Sequence, residues 1–337
     1  MNTSRSLSLL GLGAASALAL TGCAAAADTT ETAANASDDV ITVVASTNVY
    51  GQIAEEIGGD SVEVTSIITN AAQDPHSFEA SARDQLTVSD ADLVIENGGG
   101  YDGFMDAIIE STETDAHVIT AVEFSHDWPE NDGHDDAEDE HSDDEDDDHA
   151  EDDHDHADHG HVEGFNEHVW YDPHTMVHVA EAIADELTEL DPEAADVFAA
   201  NFDAFAAEIE ALEASLAEID DAHDDEHAFL TEPVAGYLVA EAGLENVTPD
   251  AFSEAVEEGQ DVPPATLLEA LDLIADGDVR VVVTNTQTGG AETERVVSDA
   301  ESAGIPVVAF SETLPEGQTY ISWMQSNIVA LQAALEK

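Results

Sequence analysis

The sequence of residues 40–68 is VITVVASTNVYGQIAEEIGGDSVEVTSII, and this stretch decides the fold. β-branched residues are frequent at its two ends, Val40–Ala45 and Ser61–Ile68, which predicts two buried strands. Apolar residues recur at helical spacing between them, which predicts a helix over Tyr50–Ile57. A strand, a helix and a second strand in this order predict a βαβ unit with parallel strands.

The same alternation continues along the chain and predicts two α/β lobes, each with a mainly parallel sheet. Further strands are predicted at Ala91–Glu96, Ala116–Thr120, Ala228–Thr231, Asp278–Asn285 and Ile305–Phe310. Further helices are predicted near Ser81–Ser89, Tyr101–Ser111, Val234–Ala242, Pro264–Ile274, Thr293–Ala303 and Tyr320–Leu335. The first lobe therefore comprises residues 40–125 and 162–190, and the second comprises residues 223–337.

One long helix is predicted to join the lobes over residues 191–222. Apolar residues from Val197 to Ile219 recur at steps of three and four, and Asp191-Pro192 is a predicted N-cap and first turn. A helix of this kind is about 42 Å long at 1.5 Å per residue. A coiled-coil stem is the alternative, with little support from a single apolar stripe. Two lobes on one rigid helix form a cleft beyond the carboxyl ends of the strands.

The N-terminus predicts export from the cytoplasm. Arg5 is the only charged residue in the first 22 residues, and the apolar stretch Leu7–Leu20 follows it. A transmembrane anchor is the alternative, but about 14 apolar residues are fewer than the roughly 20 that span a bilayer. Residues 1–22 are thus a predicted signal peptide and residues 23–39 a flexible tether. Leu-Thr-Gly before Cys23 resembles the bacterial lipobox, which implies cleavage before Cys23 and a lipid on that residue.

Residues 126–161 contain 19 Asp or Glu and 8 His but no Lys or Arg. Such a polar segment cannot bury enough apolar surface to offset its ordering entropy, which predicts a disordered loop. A solvated acidic linker is one interpretation. The interleaved His favour metal binding instead, because imidazole and carboxylate are ligands of borderline divalent metals.

The charge and the cysteine content exclude several classes of function. The formal net charge is −73, with 5 Lys or Arg, so nucleic acid and anionic lipid surfaces are poor partners. Cys23 is the only cysteine, which excludes a disulfide framework and a thiolate metal cluster. No His-Glu-x-x-His motif occurs, so a zinc hydrolase, which needs an open metal site and a general base, is disfavoured.

Four potential metal ligands lie near predicted strand ends or next to the His-rich run: His76, His168, Glu232 and Glu312. Each lobe supplies two of them to the cleft. Two imidazoles and two carboxylates suit a dipositive first-row metal. Asp172, close after His168, is predicted to cap the helix that Pro173 begins.

The motifs Asp74-Pro75-His76 and His168-Val169-Trp170-Tyr171-Asp172-Pro173 resemble those of the substrate-binding lipoproteins of zinc and manganese ABC importers. This family includes the manganese-binding streptococcal surface antigens. The resemblance covers essentially the whole mature chain and implies that His76 and His168 bind metal. It also places Glu232 at a third ligand position, where zinc-type members commonly have His, and Glu312 at the fourth.

The resemblance implies an extracytoplasmic subunit that captures Zn²⁺ or Mn²⁺ as transported cargo and passes it to an ABC permease and its ATPase. We expect a monomer that is not an enzyme, held on the outer face of the cytoplasmic membrane by lipid alone. The His-rich insertion favours zinc, and manganese is the alternative cargo. A further alternative is a metal buffer or adhesin that uses only residues 126–161.

Overall fold

The computed structural model describes residues 40–131, 162 and 164–337. The predicted signal peptide, the tether with Cys23 and residues 132–161 of the insertion lie outside these residues. Among the helices that the structure describes, none is long and apolar enough to cross a membrane.

The first lobe contains a four-stranded parallel sheet in the order β2-β1-β3-β4. Its strands are β1 Ile41–Thr47, β2 Val62–Ile68, β3 Leu93–Glu96 and β4 His117–Thr120. Its first three helices are α1 Asn48–Gly58, α2 Ala82–Ser89 and α3 Gly103–Thr112. The central strand β1 pairs through Val43 with Val64 on one side and with Leu93 on the other. The stretch at residues 40–68 is therefore the βαβ unit that its sequence predicts.

The second lobe repeats this plan with a parallel sheet in the order β6-β5-β7-β8. Its strands are β5 His227–Leu230, β6 Glu245–Asn246, β7 Val279–Asn285 and β8 Val307–Phe310. Its helices are α6 Gly236–Glu241, α7 Asp250–Glu257, α8 Pro264–Asp276, α9 Ala291–Ala303 and α10 Tyr320–Leu335. The prediction of two α/β lobes is confirmed. The sequence pattern does not predict β6, which has only two residues, or α7, which is short and acidic.

Two successive helices connect the lobes, α4 Pro173–Leu190 and α5 Ala195–His223. Asp172 caps α4 as predicted, because its Oδ1 accepts a hydrogen bond from the His174 N–H at 3.0 Å. The predicted start of the long helix at Asp191 is wrong. The Asp191 N–H closes the end of α4 on the Leu187 carbonyl at 2.8 Å, and its side chain accepts from the Glu193 N–H.

The long helix α5 has 29 residues and buries one face that includes Phe198, Phe205 and Leu212. These side chains belong to one continuous apolar core, which extends from β1 of the first lobe to β7 of the second. Interiors of this kind are close-packed and resist deformation. The shared core therefore restricts how far the lobes can move apart.

The predicted start of the disordered insertion, at residue 126, is too early in the chain. Residues Pro129–Asn131 form a short 3-10 helix, and the ring of Trp128 packs edge-on against Phe165 at 5.1 Å. The Asn131 side-chain amide donates to the Ser125 carbonyl at 2.9 Å. Residues 126–131 are thus part of the folded lobe, because Trp128 gives this polar segment an apolar anchor.

A buried carboxyl group in the first lobe gives a stability prediction. Glu96 at the end of β3 is 5% exposed, and burial, followed by the charge of Asp102, raises its pKa to about 8. An unfolded Glu ionises near pH 4.3, so folding takes up a proton between about pH 4.3 and 8. The contribution of Glu96 to stability is therefore complete at low pH and is lost as the pH rises through 8.

We expect Glu96→Gln to raise the free energy of unfolding by about 1–3 kcal/mol at pH 8 and by much less at pH 5, since one pKa unit corresponds to about 1.4 kcal/mol. Differential scanning calorimetry at the two pH values measures the difference. Glu63→Gln, at an exposed position on β2, is the matched control. An equal effect of Glu96→Gln at both pH values would show that Glu96 is ionised in the folded protein.

Candidate metal site

The turn after β2 presents His76 to the cleft. Asp74 Oδ1 accepts from the His76 N–H at 3.0 Å, and Asp74 Oδ2 accepts from the Ser77 hydroxyl at 2.7 Å. Pro75 between them is buried and has a fixed φ, which stiffens the turn. The imidazole of His76 packs edge-on against Tyr101, with ring centroids 4.9 Å apart. The Asp-Pro-His motif therefore sets both the backbone and the ring of His76.

His168 lies immediately before a 3-10 helix, Val169–Tyr171, and its side chain is 1% exposed. Its Nδ1 lies 2.8 Å from Asn166 Oδ1. An amide oxygen can only accept, so Nδ1 carries the proton and Nε2 keeps its lone pair, which is the form of imidazole that can bind a metal. Asn166 is held in turn by its Nδ2, which donates to the Pro233 carbonyl at 3.1 Å. A metal-binding His commonly has such a partner on its other nitrogen.

The structure brings His76 and His168 together with two acids, Glu167 and Glu257. One ligand atom from each of the four residues lies within 4.8 Å of the others. The rings of His76 and His168 are 6.1 Å apart, and Glu257 Oε1 lies 3.8 Å from His168 Nε2. Glu257 is the last residue of α7, so this group contains donors from both lobes.

Glu232 and Glu312 lie side by side, each just after a strand of the second lobe. The Asn285 side-chain amide donates to both carboxylates, at 3.1 Å for Glu232, and the Thr288 hydroxyl donates to Glu232. The Tyr101 hydroxyl donates to Glu312 Oε2 at 3.3 Å. Tyr101 also packs against the His76 ring, and it thereby connects the acidic pair to the imidazole pair.

The electrostatics of this acidic pair favour a cation. Glu232 and Glu312 are 4% and 3% exposed. Burial, with the charges of Glu232 and Asp74, raises the pKa of Glu312 to about 7, and burial also raises the pKa of Glu232. Two neighbouring buried carboxylates are costly unless a positive charge compensates them. A dication in the cleft would supply that charge.

The residues that the sequence analysis singled out thus form two adjacent groups. His76 and His168 are in the first group, and Glu232 and Glu312 are in the second. Glu167 and Glu257, which the analysis did not select, complete the first group. Glu167 adjoins a selected His, which is a usable signal. Glu257 is one of 78 acids and lies on an unpredicted helix, so nothing in its local sequence distinguishes it.

An acid-lined groove leads to the first group. A cavity of about 450 Å³ lies between the segment around residues 162–167 and α7. Its wall contains Asp250, Glu254 and Glu258 in addition to Glu167 and Glu257. A recess lined by one sign of charge concentrates ions of the opposite sign. The arrangement can therefore attract a divalent cation and bind it with mixed nitrogen and oxygen donors.

Comparison with known proteins identifies relatives over most of the chain. The sequence profile of the family described as "ZnuA: Zinc-uptake complex component A periplasmic" matches residues 43–334. The manganese-binding lipoprotein MntA of Bacillus subtilis is 24% identical over 340 residues, which cover 94% of this chain and 95% of the relative. The zinc-binding lipoprotein AdcA of Streptococcus pneumoniae serotype 4 is 23% identical over 301 residues, which cover 85% of this chain.

Coverage of the relatives differs among the matches. The chain spans only 54% of the length of that AdcA. It likewise spans 54% of the manganese-binding lipoprotein MntA of Halalkalibacterium halodurans, to which it is 25% identical over 197 residues, or 58% of this chain.

Solved structures show the same fold. A crystal structure of ZnuA superposes with a TM-score of 0.63 at 20% identity, covering 88% of this chain and 98% of the other. The periplasmic zinc-binding protein TroA from Treponema pallidum gives a TM-score of 0.66 at 17% identity, with 88% and 99% covered. The protein FpvC of P. aeruginosa, solved with Ni²⁺, gives 0.65 at 21% identity, with 88% and 97% covered.

Proposed function

Because the chain belongs to the family of the zinc-uptake complex component A, we propose that it is the extracytoplasmic solute-binding subunit of an ABC importer for a divalent transition metal. The observation that carries this proposal is the convergence of His76 and His168 within 4.8 Å of each other, next to the buried carboxylates Glu232 and Glu312 of the opposite lobe, to which Tyr101 connects them. The metal is the cargo, delivered to a permease driven by an ATPase subunit. A carrier needs a closed ligand shell, which leaves no position for an activated water.

The proposed ligands are His76, His168, Glu232 and Glu312. The ligand atoms of the two imidazoles already lie within 4.8 Å of each other. Glu232 and Glu312 are a pair of neighbouring buried carboxylates, and such a pair needs a counter-charge. In the metal-bound state, bonds to the metal replace the hydrogen bonds that these two carboxylates accept from Asn285. Glu167 and Glu257 then flank the site.

Zinc is the proposed cargo and manganese the alternative. Two imidazoles and two carboxylates form a harder shell than three imidazoles, which suits manganese. However, the Irving–Williams order makes zinc the tighter binder at such sites, and the His-rich insertion adds imidazole. Relatives named for each metal occur among the matches, so their names do not decide between the two.

Growth of a strain that lacks the gene tests the choice of cargo. We expect added zinc to restore growth in metal-poor medium. Rescue by manganese but not by zinc would instead establish manganese as the cargo. In that case Glu232→His should shift the preference of the strain towards zinc.

The proposed organisation follows the sequence boundaries, apart from the corrected helix start and insertion start. Residues 1–22 are removed on export, Cys23 carries the lipid, and residues 23–39 tether the two lobes to the outer face of the cytoplasmic membrane. The protein acts as a monomer and binds no nucleic acid. It works by binding and release, and not as an enzyme.

Deleting residues 132–161 separates an importer subunit from a metal buffer. We expect titration calorimetry of the full-length protein with Zn²⁺ to show one tight phase and a weak phase of several ions. Flexible ligands lose ordering entropy on binding, so the insertion should supply only weak sites. The deletion should remove most of the weak phase and leave the tight phase unchanged. Loss of the tight phase would contradict the proposal and favour a buffer or adhesin that binds through the insertion.

A further inference from the structure

A second group of metal-binding side chains lies on the first lobe: His117, Glu186 and Glu189. One ligand atom of each lies within 4.8 Å of the others. His117 Nδ1 contacts Glu186 Oε2, and these two side chains are 40% and 32% exposed. His117 begins β4, whereas both acids are on α4, so the three donors come from two rigid elements.

This group is separate from the cleft. His117 is at the amino end of β4, whereas His76, Glu232 and Glu312 follow the carboxyl ends of their strands. Glu186 is 13 residues beyond Pro173 on α4, about 20 Å along the helix axis at 1.5 Å per residue. The strand β4 is also an edge strand with one neighbour, β3, so contacts with α4 help to hold it in the sheet.

A simple ion pair does not explain the group. The contact with His117 engages only Glu186, and Glu189 then remains as a like charge at i,i+3 from Glu186, which is unfavourable. The chain has only 5 Lys or Arg against 78 acids. Two of these basic residues pair elsewhere, Arg280 with Glu226 and Arg295 with Asp299. A bound dication would compensate both carboxylates at once. One imidazole and two carboxylates suit a first-row ion such as Zn²⁺ better than Ca²⁺ or Mg²⁺, which prefer all-oxygen shells.

We propose that His117, Glu186 and Glu189 form a second divalent-metal site that links the edge strand β4 to α4. Three side chains and water complete its shell, so the ion exchanges with solvent and binds more weakly than in the cleft. Its role is to stabilise the first lobe. This site does not depend on the function proposed for the cleft.

Zinc titration in a simplified background tests the site. The background protein lacks residues 132–161 and carries His76→Ala and His168→Ala, which remove both imidazoles of the cleft. It also carries His178→Ala, because His174 and His178 lie 5.1 Å apart on α4 and offer a competing pair of imidazoles. We expect calorimetry to show one residual ion at micromolar affinity, and the melting temperature to rise with added zinc. Adding Glu189→Gln should weaken this residual binding at least tenfold and abolish the thermal shift.

Glu189→Gln leaves the His117–Glu186 contact intact, so it tests the metal without breaking that pair. Glu208→Gln, at an exposed position on α5, is the matched control and should change neither readout. The absence of a residual micromolar ion, or residual micromolar binding that Glu189→Gln does not weaken, would overturn the second site. A tight phase that survives His76→Ala and His168→Ala and ignores Glu189→Gln would instead count against the cleft assignment alone.

Discussion

Replacing His168 with alanine is expected to weaken the tight binding of zinc by about 100-fold or more. Loss of a residue that merely orients a ligand typically costs about 10–100-fold in metal affinity, and loss of the ligand itself costs at least as much. His168 is buried, and Asn166 fixes its tautomer with Nε2 directed at the cleft. Among the described residues, His76 is the only other imidazole in this group, so the lost donor is not replaced there. Competition with a chelator of known affinity measures the loss.

Two further variants make this experiment specific. His178→Ala removes an exposed imidazole from α4 and should leave the tight affinity unchanged. Asn166→Ala keeps the imidazole but removes the oxygen that holds its Nδ1–H, so it should cost about 10–100-fold, less than His168→Ala. If His168→Ala bound zinc as tightly as the unchanged protein in the absence of residues 132–161, His168 would not be a ligand.

The sequence predicts the fold well because both lobes have strong local signals. The β-branched strands and the apolar periodicity of α5 coincide with the observed elements, within a few residues at the ends. The error at Asp191-Pro192 has a local cause. An Asp-Pro pair is as compatible with a turn as with a helix start, and here the Asp191 side chain bonds to the Glu193 N–H in a turn.

The candidate site is only partly readable from the sequence. His76 and His168 lie within motifs that fix their backbone. The proximity of their two imidazoles could therefore be predicted from the sequence. The proximity of Glu257 depends on how α7 packs across the cleft, a long-range property with no local pattern. In a chain with 78 acids, burial together with position in the cleft, and not residue type, separates the acids of the candidate site from the rest. That distinction requires the three-dimensional structure.

The choice of carboxylate ligands gives the second large effect. We expect Glu232→Gln and Glu312→Gln each to weaken zinc binding by about 100-fold or more, and Glu257→Gln by about 10-fold or less, given the 10–100-fold range for residues outside the ligand shell. The reason is burial: Glu232 and Glu312 are 4% and 3% exposed, so the ion compensates two desolvated charges. The Glu257 side chain is 12% exposed and retains more contact with solvent.

Proton release distinguishes a ligand from a neighbour. With a pKa of about 7, Glu312 is largely protonated at pH 6 and must lose that proton to bind metal. Zinc affinity should therefore rise between pH 6 and 8, and calorimetry at pH 6 in buffers of different ionisation enthalpy should detect the released proton. Glu312→Gln should abolish most of this release, whereas Glu257→Gln should preserve it. If Glu257→Gln instead caused the larger loss of affinity and Glu312→Gln left the proton release unchanged, the metal would be bound by His76, Glu167, His168 and Glu257.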